Sequence, residues 1–414
     1  METMAVRALT TTCCIAGGGP AGMVLGLLLA RAGVDVRVLE KHADFLRDFR
    51  GDTIHPSTLE VMHELGLLER LLELPHDEAP QIHGWVGDLR LVVADFTHLP
   101  TRCRFLAFMP QWDLLSFLAK EAQRFPGFAL HMETDATDLV EEGGRIAGLR
   151  ALGPDGPLEI RADLVVAADG RSSAVRAKSG LPVEVLGAPM DVLWFRLSAK
   201  PGDPAETTGR FDAGRIFIAI HRTAHWQCGY VIQKGSFEEV RERGLEAFRQ
   251  DVARLAPFPG ERARELGSWD EVKLLTVRVD RLTRWSRPGL LCIGDAAHAM
   301  SPVGGVGINL AIQDAVAAAN RLALPLRERR LTPGDLEAVE RRRALPTRLT
   351  QRAQVLAQNR VIRRVLADSG TLSAPAPVRL LARSALLRRV TGRLVGLGVR
   401  PEHVRSPAIA VARG

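Results

Sequence analysis

The sequence predicts an α/β fold in which a parallel sheet crossed by helices is interrupted by an inserted mixed or antiparallel β-sheet and followed by a helical C-terminal region. Three observations carry this prediction: a strand-helix-strand unit close to the start, a group of turn-separated strands after Gly180, and an alanine-rich then arginine-rich helical stretch from Asn309 onward. With 414 residues the chain is long enough for two domains, or one with a large insertion. Apolar residues make up 46% and charged residues 25%, which is globular usage, and no apolar run reaches the roughly 18 residues of a membrane span. Met1 to Thr12 lack the apolar segment and cleavage site of a secretory leader, so the cytoplasm is the default address. The cysteines, Cys13, Cys14, Cys103, Cys228 and Cys292, are odd in number and set mostly in apolar runs, which reads as reduced core thiols rather than a disulfide framework or zinc site.

In chain order, the apolar run Thr12 to Ala16 is a strand that enters a glycine cluster. Ala21 to Arg31 is a helix closed by Gly33, and Val34 to Leu39 is a second strand ending on Glu40. Parallel strands require such a helical crossover. Leu59, Met62, Leu65 and Leu68 predict a helix over Pro56 to Leu74; Ile82 to Phe96 is strand-like, and Trp112 to Arg124 is helix. Asp163 to Ala168 is an apolar strand ending in Asp169 and Gly170. Asp191 to Ser198, Arg215 to Arg222 and His225 to Gln233 follow as an antiparallel group. Leu290 to Ile293 returns to the first style and leads through a second glycine-rich loop into the helix Asn309 to Leu324. Beyond it, two arginine-rich helical stretches flank Ser373 to Pro377.

Two constellations carry chemistry. Gly17-Gly18-Gly19-Pro20-Ala21-Gly22 has glycine at positions one, three and six, between a strand and a helix. That pattern suits a tight turn, close approach of a pyrophosphate to the backbone, and close helix–strand packing. Glu40, 18 residues beyond Gly22, stands where a carboxylate receives the hydroxyls of an adenosine ribose, a Rossmann-type arrangement. Gly294-Asp295-Ala296-Ala297-His298, continuing through Pro302, Gly304, Gly305, Gly307, Asn309 and Asp314, sets an aspartate able to bind a polyol beside a loop whose amides face a developing negative charge.

With these motifs the chain resembles the para-hydroxybenzoate hydroxylase family of single-component, class A FAD-dependent monooxygenases. Arg50 with Pro56 and Leu59, Gln111, and Asp169-Gly170-Arg171-Ser172-Ser173 with Arg176 fall in the same order as in that family. The resemblance implies FAD as cofactor, NADH or NADPH as transient co-substrate, and O2. It implies cofactor contacts at Gly17, Gly19, Pro20, Ala21, Gly22, Glu40, Lys41, Arg50, Gln111, Asp169, Gly170, Asp295, Pro302, Gly305, Gly307, Ile308 and Asn309. It further implies oxygenation of an aromatic or fused-ring, lipophilic small molecule through a flavin C4a-hydroperoxide. No catalytic side chain is assigned, since the flavin is the reactive group and Pro302, Gly304 and Gly305 position it. The expected division is an FAD-binding domain at 1–180, with strands near 80–100 joining a substrate-binding sheet at 181–275, a return at 276–330, and a C-terminal helical region at 331–414.

The chain departs from the family's namesake in two places. Tyr230 is the only tyrosine, so a paired-tyrosine relay for deprotonating a phenol is excluded, and Val306 stands where the resemblance would place a lysine. Strand alternation puts Trp194 and Arg196 on one face, opposite Leu193, Phe195 and Leu197, and groups Trp226 with Cys228 and Tyr230. Trp194, Arg196, Trp226 and Tyr230 are the candidate substrate residues. His298 is expected to order the loop after Asp295, and no metal site is read. The alternatives are an FAD-dependent reductase or dehydrogenase without oxygen insertion, and a noncatalytic binding protein on the same scaffold.

From Arg341 to Gly414 the sequence holds 16 arginines against Asp368 and Glu402, a net +14, so the preceding residues carry −7 of the chain's +7. The readings are packing against the acidic body or peripheral contact with an anionic membrane. No nucleic-acid reader motif accompanies the charge, and the expected state is a monomer or homodimer.

Overall fold

The computed structural model describes residues 6–46, 53–204, 206–222, 225–368, 370 and 372–409. Strands are numbered over its two large sheets: β1 (Arg7–Ala16), β2 (Val36–Leu39), β3 (Gln81–Val86), β4 (Leu89–Asp95), β5 (Phe128–His131), β6 (Asp135–Glu142), β7 (Arg145–Gly153), β8 (Gly156–Ala167), β9 (Met190–Ser198), β10 (Thr208–Asp212), β11 (Arg215–His221), β12 (His225–Gln233), β13 (Lys273–Leu275), β14 (Ser286–Arg287) and β15 (Leu290–Cys292). Helices of eight or more residues are α1 (Pro20–Arg31), α2 (Pro56–Glu64), α3 (Gln111–Ala122), α4 (Leu245–Leu255), α5 (Gly307–Arg327), α6 (Pro333–Ala357), α7 (Ala376–Arg383) and α8 (Ala385–Gly396).

The first sheet runs β14-β15-β8-β1-β2-β5, with β7 on β8 and β6 on β7. β1, β2, β5, β8 and β15 are parallel neighbours. Because β1 is central, its last six residues are buried on both faces, which is why they read as an unbroken apolar run. α1 is buried from Ala21 to Ala30 and packs on α5. A Cβ at Gly26 would stand 2.8 Å from Val38, so the helix lies close on the sheet. β8 is longer than its apolar segment predicts, because its first half is held by the β7 hairpin partner. The helix predicted over Pro56 to Leu74 breaks after α2. Gly66, at φ +68°, turns the chain into a short second helix, Leu68–Leu72.

The second sheet runs β13-β9-β12-β11-β10-β3-β4 and is antiparallel except where β10 meets β3. It has two apolar faces. Leu193, Phe195 and Leu197 face Phe248, Val252 and Leu255 of α4, a helix absent from the sequence reading. Val192, Trp194 and Ile216 face Ile362, Val365 and Leu366 from the segment after α6, and Val303 from the loop before α5 packs on the same cluster. All five cysteines are buried and unpaired, and burial pushes the Cys14 thiol up to about 12.

Candidate functional site: a dinucleotide cleft closed by the C-terminal helices

The first glycine turn is forced by its neighbours. Gly17 sits at φ +103°, and a Cβ there would lie 2.4 Å from the Ala168 carbonyl, while a Cβ at Gly22 would lie 1.9 Å from the Gly17 carbonyl. Gly19 differs: its backbone is extended, and a Cβ would meet nothing within 4 Å. Gly19 also begins α1, whose first turn has no side-chain cap and no acidic residue. Open space therefore lies before uncapped amides at a positive helix end. Glu40 closes one side. It is buried; its Oε2 accepts the Gly18 amide at 3.1 Å and its Oε1 accepts the His42 amide at 3.1 Å. Lys41 is exposed beside it.

The second loop meets the first through Gly294, where a Cβ would stand 3.2 Å from the Ala21 Cβ. Asp295 keeps a partly exposed carboxylate, with Oδ2 3.4 Å from the Arg171 guanidinium. Asp169 is turned elsewhere: it accepts from the Ser173 hydroxyl and the Val175 amide, and burial raises its carboxyl above the ordinary range. Gly170 follows it at φ +86°. The segment 302–307 is a tight turn holding Pro302, Gly304 and Gly305, and it ends at the uncapped, acid-free first turn of α5 with Gly307, Ile308 and Asn309. The Asn309 side chain is committed to α2, accepting from Ser57 at 2.6 Å and Thr58 at 3.0 Å, so it anchors the helix and leaves its backbone amide as its contribution to the loop. Gln111 opens α3 and is half-buried. Arg50 lies outside the described residues.

His298 is buried, and its Nε2 donates to Asp314 at 2.5 Å. Asp314 also receives the Gly294 amide at 3.1 Å and the Arg343 guanidinium at 2.9 Å. Burial works against ionisation, but His298 and Arg343 hold the Asp314 carboxyl below its ordinary value.

Three contributions to the loop were not singled out from the sequence. Gln351, Gln354 and Gln358, at helical spacing, fasten the loop from above. Gln351 donates to the Ala299 carbonyl at 3.2 Å, Gln354 to those of Ser301 at 3.1 Å and Val303 at 2.8 Å, and Gln358 to the Ser301 hydroxyl. The 351, 354, 358 spacing in an arginine-rich helix was the available signal. His55 is buried with Nε2 3.0 Å from the Gly305 carbonyl and Nδ1 2.8 Å from that of Val395; burial lowers its ring against the pull of those two acceptors. Thr53 touches the loop as well: its hydroxyl lies 3.2 Å from where a Gly305 Cβ would stand.

The four candidate substrate residues do not form one group. Trp194 and Arg196 lie on the face that meets Val303, whereas the register pairing Phe195 with Cys228 puts Trp226 and Tyr230 on the opposite face. Trp226 is a core residue, donating to Asp203 at 2.9 Å and packing on Phe258. The Tyr230 hydroxyl donates to Asp251 at 3.1 Å; burial and that carboxylate push the phenol up to about 12. Tyr230 lines a separate polar cavity of about 660 Å³ with Arg210, Arg215 and Arg254. The correction follows from the pleat, because alternation within a strand relates neighbours while only the inter-strand register decides which faces coincide.

A forced glycine turn before an uncapped helix, a buried carboxylate beside it, a partly exposed aspartate and a second uncapped helix behind a glycine loop form a set of donors and acceptors that fits FAD. Residues 10–353 match the family described as FAD binding domain, and the chain belongs to that family. It is 35% identical over 405 residues to 6-methylpretetramide 4-monooxygenase of Streptomyces rimosus, covering 96% of this chain and 94% of that one. It is 27% identical over 319 residues to 12-dehydrotetracycline 5-monooxygenase/anhydrotetracycline 6-monooxygenase of the same species, covering 73% of this chain and 60% of the relative. In fold it matches p-nitrophenol 4-monooxygenase PnpA of Pseudomonas putida, with a TM-score of 0.75 at 20% identity over 94% of this chain and 97% of that one. The chain is an FAD-dependent monooxygenase of the class A type, using NAD(P)H and O2.

Proposed function

We propose that this enzyme oxygenates a lipophilic fused-ring aromatic compound, by hydroxylation or epoxidation with or without rearrangement, on the Trp194 face of the second sheet beneath the loop 302–307. One observation carries the reading. Across that face, Gly84, Gly209, Ile218, Gly229 and Trp194 are successive cross-strand partners, so three of five positions in the row lack a side chain. The floor of the row is open at Gly209, between Val93, which lies over Gly84, and the Trp194 indole. That ring lies over Gly229, where a Cβ would stand 3.1 Å from it, and its Nε1 is buried without a hydrogen-bond partner. A flat, extended ring system matches such a floor, with the indole at its end as an aromatic contact and an unspent donor. The relatives acting on 6-methylpretetramide and anhydrotetracycline support the same class.

In this reading Gly17, Gly19, Pro20, Ala21, Gly22 and Glu40, with Lys41 and Arg50, hold the adenosine and pyrophosphate end of FAD. Gln111, Asp169, Gly170 and Asp295 hold its middle. Bound FAD supplies the redox and oxygen-transfer chemistry. The chain's part is to orient and to exclude water. The amides from Pro302 through Gly305, Gly307, Ile308 and Asn309, with the α5 dipole, stabilise negative charge that a lysine at Val306 would otherwise meet. Residues 1–180 and 276–330 form the cofactor domain in this proposal, 181–275 with β3 and β4 the substrate domain, and 331–414 the helical region. A monomeric or homodimeric state, a cytoplasmic address and peripheral membrane contact through the basic C-terminus complete it.

Anaerobic bleaching of the flavin by NADH or NADPH should be faster with a three- or four-ring aromatic than with a one-ring phenol, and 18O from labelled O2 should enter the product. Reduction indifferent to ring number, or product without label, would defeat the reading. A variant tests the floor itself. Gly209 has an ordinary backbone and only Phe211 within 4 Å of a Cβ, so Gly209→Val folds but fills the floor. Overpacking by about 1–3 kcal/mol lowers kcat/KM on large substrates roughly tenfold to a hundredfold, with substrate-free NAD(P)H oxidation unchanged.

A further inference from the structure

The helices α7 and α8 carry five arginines, Arg379, Arg383, Arg388, Arg389 and Arg393, and no acidic residue. On α8, Leu386, Val390 and Leu394 recur at i, i+4 and i+8, with Arg389 and Arg393 at i+3 and i+7 between them. All five are exposed, Leu386 at 70%, and α7 adds exposed Leu380 at 60%. This stripe cannot turn inward, because the other side of α8 is fixed. Thr391 donates to the Val93 carbonyl at 2.5 Å, and Gly392 and Gly396 press so closely on Asp95, Phe96 and Leu99 that a Cβ at Gly392 would stand 1.9 Å from the Asp95 carbonyl.

We infer that the α8 stripe docks on an anionic lipid surface, its apolar side chains entering the headgroup boundary while the interleaved arginines meet lipid phosphates. The arrangement is that of a helix lying in a membrane interface. A second copy of the chain is the poorer occupant, since face-to-face contact of two such stripes brings arginines together with no carboxylate to offset them. The inference rests on the proposed lipophilic substrate for its purpose: α8 touches the loop 302–307 through Val395 and His55, so docking would set the substrate face beside a phase in which such compounds dissolve. The physics of docking is independent of that purpose.

The test uses the full-length flavin-loaded protein and sedimentation with vesicles of phosphatidylglycerol or of phosphatidylcholine. The protein is expected to pellet with the anionic vesicles at low salt, progressively less as salt rises, and to stay in the supernatant with neutral ones. Leu386→Ser, Val390→Ser and Leu394→Ser together, at exposed positions that leave the flavin spectrum intact, should lower partitioning more than tenfold. Arg389→Gln and Arg393→Gln should lower it about fivefold each. Leu349→Ser, an exposed leucine on α6, is the comparison and should change nothing. Equal partitioning onto neutral vesicles, recovery in the supernatant throughout, or undiminished binding by the triple variant would overturn the inference. So would a dimer in sedimentation velocity that the triple variant abolishes. The vesicle assay contains no substrate, so a failed substrate-class reading leaves its outcome untouched.

Discussion

Gly19→Ala is expected to leave the protein folded and to weaken its hold on FAD roughly tenfold to a hundredfold. At this position the backbone is extended and a Cβ meets no protein atom within 4 Å, so the fold has no objection to alanine. In the proposed reading the space it would enter is where the pyrophosphate approaches the uncapped start of α1, and intrusion there costs about 1–3 kcal/mol. Gly17→Ala separates the two effects: at φ +103° and 2.4 Å from the Ala168 carbonyl, it should destabilise the apoprotein as well. Titration of each apoprotein with FAD, followed by flavin fluorescence, and urea midpoints without FAD decide the matter. Wild-type affinity in the Gly19→Ala protein would mean that the phosphates do not pass this turn.

Asp314→Ala should have the largest effect on stability, a loss of about 3–5 kcal/mol or failure to accumulate as soluble protein. The carboxylate is wholly buried and serves the Gly294 amide, His298 and Arg343 together, so its removal strands a buried guanidinium whose remaining acidic contact is Glu402 at 3.4 Å. Arg343→Ala alone should cost a similar amount. The double variant should cost at least 1 kcal/mol less than the sum, because each single change already destroys the shared interaction. The pH dependence follows from a folded carboxyl held below its ordinary value. Its stabilisation is fully present above the unfolded value near 4 and is lost as pH falls through the folded one, so Asp314→Ala should flatten the acid limb of the stability curve. Urea midpoints within 1 kcal/mol of the parent protein would reject this account.

Local spacing made the geometry of the two glycine turns legible. β1, α1 and β2 form one strand-helix-strand unit that is continuous in sequence up to Glu40, and the Asp295 loop likewise announces itself at a strand end. The alternation Leu193, Phe195, Leu197 against Trp194 and Arg196 was also readable, because a pleat is local. What escaped depended on pairing between distant segments. Whether Trp226 shares a face with Trp194 is set by the β9–β12 register, which alternation within either strand leaves open. The glycine row needs four such registers at once. Gln351, Gln354 and Gln358 looked like ordinary polar positions of a helix, since the loop that needs their amides lies some fifty residues away. The false continuity of the helix over Pro56 to Leu74 came from leucines whose spacing outweighed Gly66, where the φ of +68° was decisive.

His55 stands between two acceptors, the carbonyls of Gly305 and Val395, and burial favours its uncharged form. A neutral imidazole has one N–H to give. In the neutral ring the 302–307 loop and the C-terminal helix therefore compete for a single proton: either tautomer donates to one carbonyl and sets a bare nitrogen against the other, so both bonds are made together only when the ring is protonated. One ring thus joins the helix that carries the exposed arginine stripe to the turn at residues 302–307.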